Sequence, residues 1–349
     1  MNNQQNKGSA IKFAVVGCGH IGKRHARTIG VHQEAELVAL CDVSPKEKLD
    51  IEGFNVPFYS DLEALLGTDN QIDVVCICTP NGYHTQQSIQ VLESGRHVVC
   101  EKPMGLRKSD CEQVIHKALT VGKQVFCVMQ NRHSPPAVWL KELIDKQLLG
   151  KVHTMQLNCY WNRDDRYYLK DGKQHVWHGT IAQDGGPLFT QFSHYIDLMY
   201  WLFGDIKNIE ARFGNYTHQH STEFEDTGIV TFDFVQGGMG CLNYSTAIWG
   251  QNMETSITVT GSRGSVRIGG QYMDKVEYCH IEGYEMPDLK ASNPANDYGT
   301  YKGSTNNHGF VFANVIDVLK GHKTITTNAL EGMKIVEIIE RMYGGRMLR

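Results

Sequence analysis

Three stretches of the chain hold residues whose types and spacing could do chemistry. The first is Gly17-Cys18-Gly19-His20-Ile21-Gly22, with Asp42 standing twenty positions beyond its last glycine. Glycines so spaced allow a tight turn and close approach of backbone to a ligand, and a helix opening there would aim its N-terminus at a pyrophosphate. An acid at that distance would accept hydrogen bonds from ribose hydroxyls and repel a 2′-phosphate, so NAD is expected rather than NADP, Lys46 being the one counter-charge in Cys41–Lys46. The second stretch, His97-Val98-Val99-Cys100-Glu101-Lys102-Pro103, ends an apolar run with a carboxylate and an amine. A lysine whose pKa is lowered by burial is a general base. The third runs from Asp184-Gly185-Gly186 through Thr190 and His194 to Asp197, and a continuous helix near 187 to 203 would put Thr190, His194 and Asp197 on one face. A threonine hydroxyl can bond a substrate but is no ionised base at neutral pH.

These groups need elements to hold them. Ile11–Gly19 reads as a strand turning into a helix, and apolar strands recur at 36–42, 72–80, 97–103 and 124–130, each separated by a helix. Capping pairs are expected at Ser44/Glu47, Ser60/Glu63 and Ser109/Glu112, with helices stopped at Gly95 and near Gly122. Strands this apolar imply a parallel sheet covered on both faces, a doubly wound α/β domain over 1–130 whose residues 1–10 form a polar tail. In such a sheet ligands bind beyond the carboxyl ends of the strands, where Thr79-Pro80-Asn81 and Glu101-Lys102-Pro103 fall. From 131 to 349 the texture is that of an α+β domain: consecutive strands with short turns predict a large, open, mostly antiparallel sheet, with helices near 187–203, 308–320 and 329–343, the last capped by Asn328 and Glu331. Residues 287–308 form one long loop-like segment.

The chain has 349 residues, 41% of them hydrophobic, and a formal charge of -4 with the signs interspersed, which argues against nucleic-acid or membrane-surface partners. No apolar leader or spanning segment is expected, so the reading is a soluble, cytoplasmic protein. The ten cysteines are scattered and read as reduced, buried thiols; His175/His178 and His218/His220 lie in polar sequence and read as solvated, so no metal is assigned.

Taken in order along the chain, GCGHIGKRH, CTPNGYH, EKPMG, Gln130-Asn131-Arg132 and the Gly-Gly…His..Asp arrangement resemble the glucose-fructose oxidoreductase and inositol dehydrogenase (Gfo/Idh/MocA) family. The resemblance implies a Rossmann half holding NAD through Gly17, Gly19, His20, Ile21, Gly22, Asp42, Thr79, Pro80, Asn81, His84, Glu101, Lys102 and Gln130. It also implies proton transfer at a sugar hydroxyl by Lys102 with His194 beside it, and dimers or tetramers formed through the second sheet, for which Ile229–Val235 offers apolar residues. Many relatives carry Asp or Asn where Thr190 stands, and against that pattern the resemblance leaves base duty open between Lys102 and His194, with Asp184 as a further polar contributor. A narrower resemblance, in Trp161-Asn162-Arg163-Asp164-Asp165-Arg166-Tyr167-Tyr168, Trp177–Thr180 and Asp184-Gly185-Gly186, is to the branch that oxidises the 3-hydroxyl of UDP-N-acetylglucosaminuronic acid. There Arg163 and Arg166 would bind carboxylate or phosphate bidentately, Trp161, Tyr167 and Tyr168 would line sugar or uracil, Trp177 and Thr180 would also bind substrate, and a keto acid would reoxidise tightly held NADH. Inositol-like or free-sugar dehydrogenase activity, or a non-catalytic NAD sensor, are the alternatives.

Overall fold

The structure, a computed structural model, describes residues 10–68, 71–299 and 301–345; the expected polar tail, Ala10 apart, lies outside them. The chain begins with β1 (Ile11–Val16) and α1 (His20–Gly30), followed by β2 (Ala35–Cys41), β3 (Phe58–Tyr59), α2 (Leu62–Leu66), β4 (Val74–Ile77), α3 (His84–Glu93), β5 (His97–Cys100), α4 (Lys108–Val121) and β6 (Val125–Cys127). Their strands pair in parallel in the order β3-β2-β1-β4-β5-β6. Every residue of β4 is buried, as a strand covered on both faces requires. The topological switch, where the order reverses between β1 and β4, puts the ends of both strands beside the Gly17–Gly22 turn.

The second half adds α5 (Pro135–Asp145), β7 (Val152–Tyr160), α6 (Asp165–Tyr168), the short hairpin β8 (Leu169–Lys170) and β9 (Lys173–Gln174), α7 (Pro187–Thr190) and α8 (Ser193–Phe203). Then come β10 (Ile206–Gly214), β11 (Thr227–Phe234), β12 (Met239–Ser245), β13 (Glu254–Gly261), β14 (Gly264–Gly269) and β15 (Lys275–Ile281), the hairpin β16 (Ala295–Asp297) and β17 (Lys302–Thr305), and α9 (His308–Leu319) and α10 (Ala329–Gly344). The large sheet runs β10-β11-β12-β7-β13-β14-β15 and is antiparallel except where β12 pairs with β7. Its inner face packs on α8, and alternate residues such as Val230, Phe232 and Phe234 are buried there. Within Ile229–Val235, only Ile229, Val235 and the polar Thr231 are exposed, so most of the apolar residues expected to serve a subunit contact belong to this molecule's own core.

Several local expectations differ from what forms. Ser44-Pro45 leads only into a 3-10 turn at Lys46–Lys48, with no side-chain cap, while the Ser44 backbone N–H donates to Asp42. Asp61, not Ser60, caps α2 by accepting from Ala64 N–H, and α4 starts at Lys108, so Ser109 lies within it and its hydroxyl bonds Asp110. The Asn328/Glu331 capping box is present. The helix read over 187–203 is two helices: Phe192, at ψ 0°, leaves helical geometry, so Thr190 does not share a helix face with His194 and Asp197. The segment 287–308 holds β16 and β17, and all ten cysteines are free thiols.

Candidate active site

The glycine turn is shaped for a ligand. A Cβ on Gly17, at φ +89°, would meet Cys78 O at 2.5 Å, and one on Gly22 would meet Gly17 O at 1.7 Å, so both are packing glycines. A Cβ on Gly19 would meet nothing within 4 Å; that open side, at the N-terminus of α1 with no side chain capping its first turn, is a cradle for a phosphate. Asp42 accepts Cys18 N–H at 2.7 Å on one oxygen and Ser44 N–H at 2.8 Å on the other. That fixes its carboxylate at the end of β2 with lone pairs left for ribose hydroxyls, so the residues present fit NAD.

Beyond β4, Thr79 donates to Gln87 Oε1 at 2.6 Å, and Asn81 sends its amide to Asp184 O at 2.8 Å and Thr190 Oγ1 at 2.7 Å. Asn81 thus clamps the first half to the second. Pro80 precedes it in the same turn, and buried His84 places its nitrogens 2.7 Å from Pro103 O and 2.8 Å from Thr79 O, tying the ends of β4 and β5 together. Glu101 is buried directly after β5, and half-buried Lys102 donates from Nζ to Thr190 O at 2.6 Å. Burial pushes the Lys102 pKa below the usual lysine range; Glu101 and Asp184 act against that and Arg163 with it.

Asp184 is fully buried, accepts from Gly179 N–H at 2.8 Å and takes a short hydrogen bond from the Thr190 hydroxyl. Thr190 is therefore committed to Asp184 and Asn81. His194 is 4% exposed, and burial, reinforced by the Lys102 charge, holds its pKa well below the ordinary value; its Nδ1 has no partner among the described residues. The structure so brings together Lys102, Asp184, Thr190, Asn81 and, within electrostatic reach of Lys102, a neutral imidazole at 194. Asp197 lies elsewhere, in a bidentate pair with Arg132, which also bonds Glu331. Gln130 donates to Ser304 on β17 at 3.2 Å, while its carbonyl oxygen is unsatisfied.

Of the residues singled out for a sugar or uracil, Trp161 is 3% exposed and spends its indole N–H on Thr255 at 2.7 Å, packing beneath Arg163. Arg166 is exposed and paired with Asp164. Arg163 is 3% exposed and enclosed by the rings of Trp161, Tyr167 and Tyr301; it donates to Asn162 O, Lys302 O and Asn252 Oδ1, and its Nε has no partner. Trp177 stacks on His178 at 3.6 Å, and Thr180 turns back to Trp177 O. His218 and His220 face Asp226 and Asp165.

Residue types alone did not single out the hairpin β16–β17. Its Tyr298 meets the ring of exposed His20 edge-on at 5.5 Å and lies under Arg24, while Tyr301 packs on Tyr298, Tyr167 and Arg163. The available signal was the pair of aromatics inside an otherwise polar segment.

A sequence model described as the oxidoreductase family with an NAD-binding Rossmann fold matches residues 11–129, and the GFO/IDH/MocA C-terminal domain matches 138–267. The WlbA dehydrogenase of Bordetella pertussis, solved with NADH and UDP-GlcNAcA, is 31% identical with a TM-score of 0.83 over 96% of each chain. Its counterpart from Chromobacterium violaceum, with the same two ligands, is 30% identical with a TM-score of 0.85 over 97% of this chain and 94% of its own. D-glucoside 3-dehydrogenase of Escherichia coli is 25% identical, covering 96% of this chain and 95% of its own. Among the described residues no helix is long and apolar enough to cross a membrane.

Proposed function

The chain belongs to the GFO/IDH/MocA family of NAD-binding oxidoreductases that act on sugar or polyol CH–OH groups, and from that premise we propose that it oxidises the 3-hydroxyl of a UDP-N-acetyl-hexosaminuronic acid with NAD in preference to NADP. One observation carries the reading: at the carboxyl ends of β4 and β5, beside the glycine turn, the amine of Lys102 is bonded to the carbonyl four residues before His194, whose imidazole is neutral. The substrate class is supported by the two WlbA complexes and by Arg163, a buried guanidinium that among the described residues has no carboxylate partner. An uncompensated buried cation is costly, and an arriving carboxylate or phosphate would relieve that cost.

NAD, held by the glycine turn and Asp42, would supply the hydride acceptor for the sugar carbon. Lys102, its pKa lowered by burial, takes the hydroxyl proton as the C–H bond breaks, so charge does not build up on oxygen. His194 offers a hydrogen bond to the same oxygen, and Asp42 favours the free 2′-hydroxyl of NAD over a phosphate. Asp184 and Thr190 fix the Asn81 clamp that closes the crevice. We also propose that two or four copies associate through the outer face of the large sheet, where Ile229 and Met239 are exposed.

NADH formation on incubation with NAD and UDP-N-acetylglucosaminuronic acid tests the proposal. Turnover should exceed that with myo-inositol or a free glucoside. Lys102→Ala should lose about 10²-fold or more in kcat while still binding NAD. Near-native turnover in that variant would remove Lys102 from its role; a preference for inositol would replace the substrate; NAD binding without turnover of any sugar would make the protein a sensor.

A further inference from the structure

Beneath Lys102 lies a buried trio that the reaction as described does not use. His25 Nε2 is 2.8 Å from Glu101 Oε1, and His308 Nε2 is 3.8 Å from the same oxygen. The three side chains come from α1, the end of β5 and the first residue of α9, and all are buried. Phe312, one turn along α9, sets its ring edge against His25 at 5.0 Å, holding the imidazole in place. On the other side of that imidazole, Cys78 Sγ is 3.3 Å from Nδ1. Burial drives the Cys78 pKa well above its ordinary value, so the thiol keeps its proton and donates it to Nδ1. That leaves Nε2 as the N–H, aimed at Glu101. Among the described residues, neither nitrogen of His308 has a hydrogen-bond partner.

The other oxygen of Glu101 accepts the backbone N–H of Lys102 at 3.2 Å, so the carboxylate sits directly against the residue read as the base. Burial alone would raise the Glu101 pKa; the His25 hydrogen bond, with the influence of His25, His308 and Lys102, overrides burial and holds it at about 2.

We propose that His25 is a positioning residue that keeps Glu101 a carboxylate against Lys102 and thereby sets the protonation of the amine that takes the substrate proton. This rests on the reading of Lys102 as that amine. The groups facing Lys102 are Glu101 beside it, Asp184 before α7, Arg163 after β7, His84 on α3, His194 on α8 and His308 on α9. Those facing Glu101 are His25, His308, Lys102, His84, His194, Tyr298 and the buried thiols of Cys76, Cys78 and Cys100. The ligand atoms of the trio lie within 4.8 Å of one another, a spacing a divalent cation would also suit, but Lys102 and Arg24 already bring positive charge within reach of His308.

The test uses the full-length enzyme and two readouts. One is the pH dependence of Lys102 acetylation by acetic anhydride, located by mass spectrometry; the other is the acid limb of kcat/KM for sugar oxidation. Removing a negative charge destabilises the ammonium, so Glu101→Gln and His25→Phe should each move both profiles to lower pH, by about one unit for Glu101→Gln. His25→Gln, which keeps an N–H, should restore most of the wild-type profile. Should His25→Phe fail to fold, Glu101→Gln, of nearly the same shape, carries the test. Unmoved profiles in folded variants would overturn the proposal. A moved acetylation profile with an unmoved activity limb keeps the charge-setting role and overturns the reading of Lys102 as base. Stoichiometric binding of Zn²⁺ alone, lost in His308→Ala, would overturn the proposal in favour of a metal site.

Discussion

Asp184 has no water contact, and its pKa is pushed up to about 7, chiefly by burial, against the pull of the Thr190 hydroxyl, the Gly179 N–H and the Lys102 charge. In the unfolded chain the same carboxyl would titrate near 3.9. Between those values the native state binds more protons than the unfolded one, so this residue makes stability fall as pH rises from about 4 to 7. Asp184→Asn removes that dependence and keeps the shape: its carbonyl can accept from Gly179, and its amide can donate to Thr190 Oγ1, whose hydroxyl still reaches residue 184 O. At pH 8 the variant should be more stable by on the order of 2 kcal/mol, with little difference at pH 4, as calorimetry at the two pH values will read; parallel stability curves would refute it. At this scale the residue types carried much of the information. Gly17, Gly22 and Asp42 occupy the positions their spacing called for, because strand-to-helix turns leave few alternatives. What spacing could not show was commitment: Thr190 and Trp161 spend their polar atoms inside the protein, and that depends on neighbours distant in sequence.

The hairpin β16–β17 joins the two ends of the crevice through a short stack of rings. Tyr298, against His20 and Arg24, closes on the glycine turn, while Tyr301, on Tyr298 and Arg163, closes on the second half. Tyr298→Ala should therefore weaken NAD binding roughly fivefold, the ~1 kcal/mol that loss of a ring and a cation–π contact brings, while Tyr301→Ala should chiefly raise KM for the sugar by loosening Arg163. Fluorescence titration with NADH reads the first; equal affinity in wild type and Tyr298→Ala would detach the hairpin from the cofactor. The parallel strands were legible because burial on both faces leaves continuous apolar runs. The hairpin was not, since a two-stranded element made largely of polar residues has no period-2 signal to find. The break between α7 and α8 was equally silent: no glycine or proline stands at residues 191–192 to mark it.

The dinucleotide half does not own its core. One face of its parallel sheet packs Phe13, Val15, Val99 and Phe126 against Val311, Phe312, Val315 and Ile316 of α9. The other face shares a cluster with Ile335, Val336 and Ile339 of α10, so close that a Cβ on Gly332 would meet Cys127 Sγ at 2.3 Å. Polar ties also join the two halves: the Asn81 amide to Asp184 O, and Cys127 N–H to Thr327 O. Two helices from the end of the chain thus complete a sheet from its beginning, so melting either half strips apolar surface from the other. Calorimetry of the full chain should show one cooperative transition. Phe312→Ala, which opens a cavity where α9 meets the sheet, should lower stability by about 3–4 kcal/mol and move that whole transition together. Two transitions in the wild type, or a Phe312→Ala effect confined to one of them, would mean that the halves melt independently despite the shared helices.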